Sequence, residues 1–118
     1  MKTTLDIATR LTELLKNRQF VTAYEELFID DAISIDPLKP DLSPVKGLTK
    51  LIEFEKAFLS EAKIPSVDVS EPIISGAYFA IRLSMQVTID SADVPFEELC
   101  IYEVRNEKLV SQQFFINR

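Results

Sequence analysis

The chain has 118 residues, 47% of them hydrophobic and only two of them glycine, with a net charge of −6. That is the size and composition of one foldable domain and excludes a disordered or low-complexity chain. The thirteen basic residues are scattered without a cluster, so neither nucleic-acid phosphates nor an anionic membrane surface meets a binding patch.

From the N-terminus, Met1 to Asp6 lacks the apolar core of a secretion signal. Nowhere does an apolar stretch approach the length of about 18 residues needed to span a membrane. The expectation is a cytoplasmic protein. Residues 4–17 read as an amphipathic helix with Ile7, Ala8, Leu11, Leu14 and Leu15 on one face, capped by Thr3 or Thr4 and stopping at Asn17. A second short helix buries Phe20, Ala23, Tyr24, Leu27 and Phe28. Ile33 and Ile35 alternate with Ser34 and Asp36 as a short strand would. Pro37, Pro40 and Pro44 bracket a loop. Gly47 opens a third helix over 47–62, and Pro65 is expected to mark its end.

The second half reads as strands. Val67 and Val69 begin one that closes near Ser75-Gly76. Between Tyr78 and Ile89 every second residue is apolar, the period of a strand with one buried face. Asp90 to Asp93 reads as a turn, 96–105 as a strand, Asn106-Glu107 as a tight turn and 108–117 as the last strand. The order is α-α-β-α-β-β-β-β, an α+β pattern in which helices cover one face of a curved, mostly antiparallel sheet, in one domain over 1–118.

Three segments resemble a known superfamily. Phe28-Ile29-Asp30-Asp31-Ala32-Ile33-Ser34-Ile35-Asp36-Pro37 resembles the second helix end and first strand of the nuclear-transport-factor-2-like (NTF2-like) fold, closest to its ketosteroid-isomerase and SnoaL-like branches. Val45-Lys46-Gly47-Leu48, leading into Ile52-Glu53-Phe54, resembles the start of its third helix. Lys108-Leu109-Val110-Ser111 resembles its final strand. The resemblance implies a cone of three helices on a bent sheet, with a small-molecule pocket inside. The fold itself hosts isomerases, cyclases, dehydratases, transport adaptors and binding-only domains.

The resemblance puts Asp36 at the position of the isomerases' proton-shuttling aspartate, where a desolvated carboxylate moves a proton beside a carbonyl. Asp-Pro is equally a turn-initiating pair. The isomerases' helix tyrosine is missing, since Leu11-Thr12 stands there, and their protonated strand aspartate is replaced near Cys100. On the strand from Phe96, the residues Phe96, Glu98, Cys100, Tyr102 and Val104 share one face. If that face looks into the cone, Glu98 and Tyr102 are substitute hydrogen-bond donors; if it looks outward, Glu97 and Glu98 are edge charges that discourage aggregation.

Tyr24, Phe54, Phe58 and Gln113 complete the pocket candidates, one of Gln112 and Gln113 being expected to face inward. Cys100 has no histidine to activate it, because the chain contains none. The same absence removes the commonest general base and most zinc and non-haem iron sites. No metal or organic cofactor is implied. The expected partners are a small, mostly apolar molecule and a second copy of the chain, joined through the sheet. Whether Asp36 carries out an isomerase- or cyclase-type proton transfer, or the pocket only binds, stays open at this stage.

Overall fold

The computed structural model describes residues 1–117. Helix α1 (Thr4–Lys16) begins in a capping box: the Thr3 side chain accepts from the Asp6 N–H, and the Asp6 carboxylate accepts from the Thr3 N–H. Two of the helix's orphan donors are thereby satisfied. It ends at Asn17, and Arg18 turns the chain in the left-handed region (φ 59°). The Arg18 guanidinium then donates to the Ile64 and Pro65 carbonyls at 2.8 and 2.6 Å. Helix α2 spans Phe20–Leu27. Phe28, expected on that helix, is instead the first residue of strand β1 (Phe28–Ile35) and is buried there.

A single 3-10 turn (Pro40–Leu42) and a two-residue strand, β2 (Val45–Lys46), lead to α3 (Leu48–Glu61). Gly47 caps α3 at φ 108°, a conformation that L side chains rarely adopt. The chain leaves α3 directly into β3 (Ala62–Val69). Pro65 therefore does not end the helix; it lies in β3, where the pairing register shifts between Lys63 and Ser66. β3 ends the sheet, so the donor that proline lacks is not needed by a neighbour.

Strands β4 (Ile73–Ser75), β5 (Tyr78–Ile89), β6 (Ala92–Arg105) and β7 (Lys108–Asn117) follow. The expected order stands, with β2 and the 3-10 turn as additions, while the strand expected from Val67 to Ser75 starts earlier, at Ala62, and is split into β3 and β4. The Asn106-Glu107 hairpin is the tight turn expected, and the one after β5 is tighter than the sequence suggests. Asp90-Ser91 and Asn106-Glu107 each place two residues at positive φ, as right-twisted strands prefer. The expected turn over 90–93 thus shrinks to two residues, and β6 starts at Ala92.

The strands form one sheet in the order β2-β1-β7-β6-β5-β3, with β4 also paired to β5. Only β1 and β7 run parallel. The core lies between the helices and one face of this sheet: Ile7, Leu11, Leu14 and Leu27 meet Phe79, Ile81, Val87 and Leu109. Among the described residues no helix is long and apolar enough to cross a membrane.

Candidate functional site

A cavity of about 220 Å³ remains between helices and sheet. Helix α1 contributes Leu11 and Leu15, α2 contributes Phe20, Ala23 and Tyr24, and α3 contributes Glu55 and Phe58. From the sheet come Leu83 and Met85 of β5, Phe96, Glu98 and Tyr102 of β6, and Gln112, Phe114 and Ile116 of β7. The wall is apolar with a few polar groups, the usual makeup of a small-molecule site.

The inner face of β6 follows from its period of two. Glu98 lies opposite Leu83 on one side and Ile116 on the other. Water is scarce between these aliphatic neighbours, and burial is the main reason the Glu98 carboxyl is pushed up from its ordinary 4.5 to about 7. The Cys100 thiol, whose Sγ donates to Glu98 Oε1 at 3.4 Å, pulls it back down. The negative charges of Glu55 and Asp36 push it further up. Burial likewise raises Glu55. The protonated form of Glu98, which burial favours, is able to donate as well as accept.

The two cavity tyrosines are held neutral. Burial raises both Tyr24 and Tyr102, the charge of Glu55 adding to the effect at Tyr24 and the neighbouring Cys100 and Glu98 adding to it at Tyr102. Gln112, 3% exposed, donates through Nε2 to the Tyr24 hydroxyl at 2.8 Å and to Ser34 Oγ at 3.1 Å. Ser34 and Gln112 are register partners on the parallel strands β1 and β7, so the sheet itself sets the contact to Ser34 and places Gln112 to hold the Tyr24 hydroxyl. A row of rings links the parts: Tyr24 and Phe28 lie 4.9 Å apart, Phe28 and Tyr102 6.4 Å edge-on, and Tyr102 and Phe79 5.0 Å stacked.

Of the residues singled out by sequence, Tyr24, Phe58, Glu98 and Tyr102 line the cavity. Cys100 is 1% exposed, on the inner face one step behind Glu98. Burial, then the charge of Glu98, pushes its thiol up, so it is no thiolate nucleophile. Asp36 is not among the residues that line the cavity: it stands just past the end of β1, half-buried. Its N–H donates to Ser43 Oγ at 2.9 Å, and its Oδ1 accepts from the Leu38 N–H at 3.0 Å, the bonding of an Asx turn.

Two candidates are corrected. Phe54 is 60% exposed. The inward stripe of α3 is Leu48, Leu51, Ile52, Glu55, Phe58 and Leu59, an i, i+3, i+4, i+7 pattern that Phe54 falls outside. Gln113 faces the opposite side of the sheet from the cavity. Counting by twos from buried Leu109 would put Gln113 inside, but the β6–β7 register jumps from Glu103↔Ser111 to Val104↔Leu109. Val110 is the extra residue of a bulge, and a shift of one residue exchanges the two faces. Gln112 takes the inward place. Glu55 was also overlooked, although its position within the apolar stripe of α3 was legible.

A family model described as a SnoaL-like domain matches residues 2–116. Among solved structures, a candidate SnoaL-like polyketide cyclase from Mesorhizobium loti superposes with a TM-score of 0.89 at 26% identity, over 97% of this chain and 99% of that one. An NTF2-like protein of unknown function from Burkholderia pseudomallei gives 0.80 at 13%, over 99% and 92%. An LEH-like epoxide hydrolase from M. tuberculosis gives 0.73 at 14%, over 94% and 83%. The last two likenesses are of fold alone. No curated protein matches this chain.

Proposed function

The chain belongs to the SnoaL-like domain family, and on that premise we propose that its cavity holds one small, mostly apolar molecule whose single polar group meets the Glu98 carboxyl. The observation that carries this reading is Glu98 itself: an ionisable group between Leu83 and Ile116, facing an apolar cavity and raised to about 7. A structural carboxylate gains nothing from such a place, whereas a proton donor working near neutral pH does. The catalytic form of the proposal is an isomerase- or cyclase-type proton transfer. Glu98 gives a hydrogen bond or a proton to the ligand's polar atom, and Asp36, outside the cavity wall but near enough for its charge to be felt at Glu98, accepts one from a ligand carbon that reaches the end of β1. The non-catalytic form is a binding domain with the same polar contact.

Thermal-shift measurements on wild type, Glu98→Gln and Asp36→Asn distinguish these forms. The panel is small apolar compounds with one polar group: ketones, enones, sterols, amines and aromatic polyketide mimics. A stabilising compound that wild type also converts, and that neither variant converts, supports the proton-transfer form. Stabilisation without conversion supports binding alone. A panel that leaves every melting temperature unmoved would sink the pocket reading.

A second proposal concerns the opposite face of the sheet. Ile73, Ala80, Ile101, Gln113 and Ile35 form a row across β4, β5, β6, β7 and β1, beside Leu99, which is 45% exposed. We propose that two copies of the chain pair through this face, because so apolar a patch on a small domain favours a partner.

A further inference from the structure

The cavity is unbalanced in charge. Glu55 and Glu98 line it, and among the described residues no lysine or arginine does. The described arginines are engaged elsewhere: Arg10 with Glu13 and Glu26, Arg18 with the Ile64 and Pro65 carbonyls, Arg82 with Glu97, and Arg105 with Glu103. A carboxylate removed from water needs a counter-charge or a proton. The described residues of the wall offer no counter-charge, so a proton stands in for one.

The rest of the wall points the same way. Five phenylalanines and two tyrosines line the cavity. Aromatic faces carry negative potential and attract a desolvated cation. The carboxyls do not make a group that could hold a metal ion, among the described residues. Rings with two acidic groups suit a cation that is itself apolar.

We propose that the cavity's ligand is an organic cation, a small amine or quaternary ammonium whose nitrogen lies against Glu55 and Glu98 and whose apolar body lies on the aromatic wall. This inference rests on the reading of the cavity as a ligand site; toward a permanent cation Glu98 acts as the counter-charge rather than as a proton donor.

A proton linkage follows. A permanent cation binds the carboxylate form, so its arrival expels the Glu98 proton. The other titratable groups facing Glu98 are Cys100 on its own strand, Tyr102 beyond it, Tyr24 from α2, Glu55 from α3 and Asp36 from the end of β1. Cys100 and both tyrosines stay neutral throughout, which leaves the carboxyls to release the proton. Affinity for a permanent cation therefore rises with pH, about tenfold per unit for each proton released, and levels off above the Glu98 titration.

The test compares phenyltrimethylammonium with tert-butylbenzene, which has the same shape without the charge. NMR titrations of the full chain across the Glu98 titration range read both affinities. Wild type is expected to bind the cation at least about tenfold tighter than the neutral probe above that range. Glu98→Gln and Glu55→Gln are each expected to lose that advantage while keeping affinity for tert-butylbenzene, with circular dichroism verifying the fold. Should either variant fail to fold, the rise of cation affinity with pH in wild type decides alone. Equal affinity for the two probes, or a cation affinity indifferent to pH, overturns the charge inference and leaves the pocket standing. If neither probe moves the cavity resonances, the pocket reading falls with it.

Discussion

Glu98 is acidic by type but is held by neighbours that disfavour its charge. Because its folded value lies near 7 and its ordinary value at 4.5, the fold favours the protonated form. The stability this contributes is fully present below the ordinary value and is lost as pH rises through about 7. Glu98→Gln carries no charge to lose. It is expected to equal wild type at about pH 4 and to exceed it by roughly 2–3 kcal/mol at about pH 8, read from urea unfolding at both. A variant weaker than wild type by the same amount at both pH values would mean that a neutral contact, and not charge, is what the residue supplies. Gln112→Leu is expected to cost about 1–3 kcal/mol, since it strips the partner from Ser34 Oγ and the Tyr24 hydroxyl. Asp36→Asn should stay within about 0.5 kcal/mol of wild type, because asparagine forms the same Asx turn onto Leu38.

Among the elements, β7 decides the most. Its bulge at Val110 sends Gln112, Phe114 and Ile116 inward and Gln113 and Phe115 outward. Deleting Val110 would restore an even register and exchange those faces, placing Gln113 and Phe115 where the cavity wall should be. The expected outcome is loss of cooperative thermal unfolding, monitored by circular dichroism. A deletion variant that melts like wild type would show that the pairing slides elsewhere to compensate. Helix α1 is a milder case. Thr3→Ala removes one half of the capping box and is expected to lower stability by about 1 kcal/mol. Both predictions concern short stretches, yet the first reaches the site and the second does not, because β7 contributes wall residues along its length.

At the scale of the whole molecule, one sheet serves two surfaces. One face holds the helices and the cavity, and the other presents Ile35, Ile73, Leu99 and Ile101. If copies pair through the second surface, a double substitution Leu99→Glu and Ile101→Glu should give monomers by light scattering and leave the melting profile's shape intact. A wild type already monomeric at high concentration would dispose of the pairing proposal. The two surfaces also share strands, so changes on the outward face should leave cavity binding unaltered wherever the strand register holds.

Much of this protein was fixed by local chemistry and so could be read in order along the chain. The 3.6-residue stripe of α1, the glycine before α3 and the period of two from Tyr78 to Ile89 each depend on neighbours a few positions away. Such features give three helices, a meander and an α+β layer without knowledge of any long-range contact. Even the inward place of Glu55 was legible, as a charge set in an apolar stripe. What the sequence could not carry is anything that depends on which strand lies beside which. The choice of Gln112 over Gln113 rests on a bulge at Val110 that shows only in the pairing of β7 with β6. The shifted carboxyl of Glu98 rests on Leu83, Ile116, Glu55 and Asp36, which approach it from four separate elements. Periodicity names two possible faces for a strand; only the packed sheet, by burying one of them, selects between them.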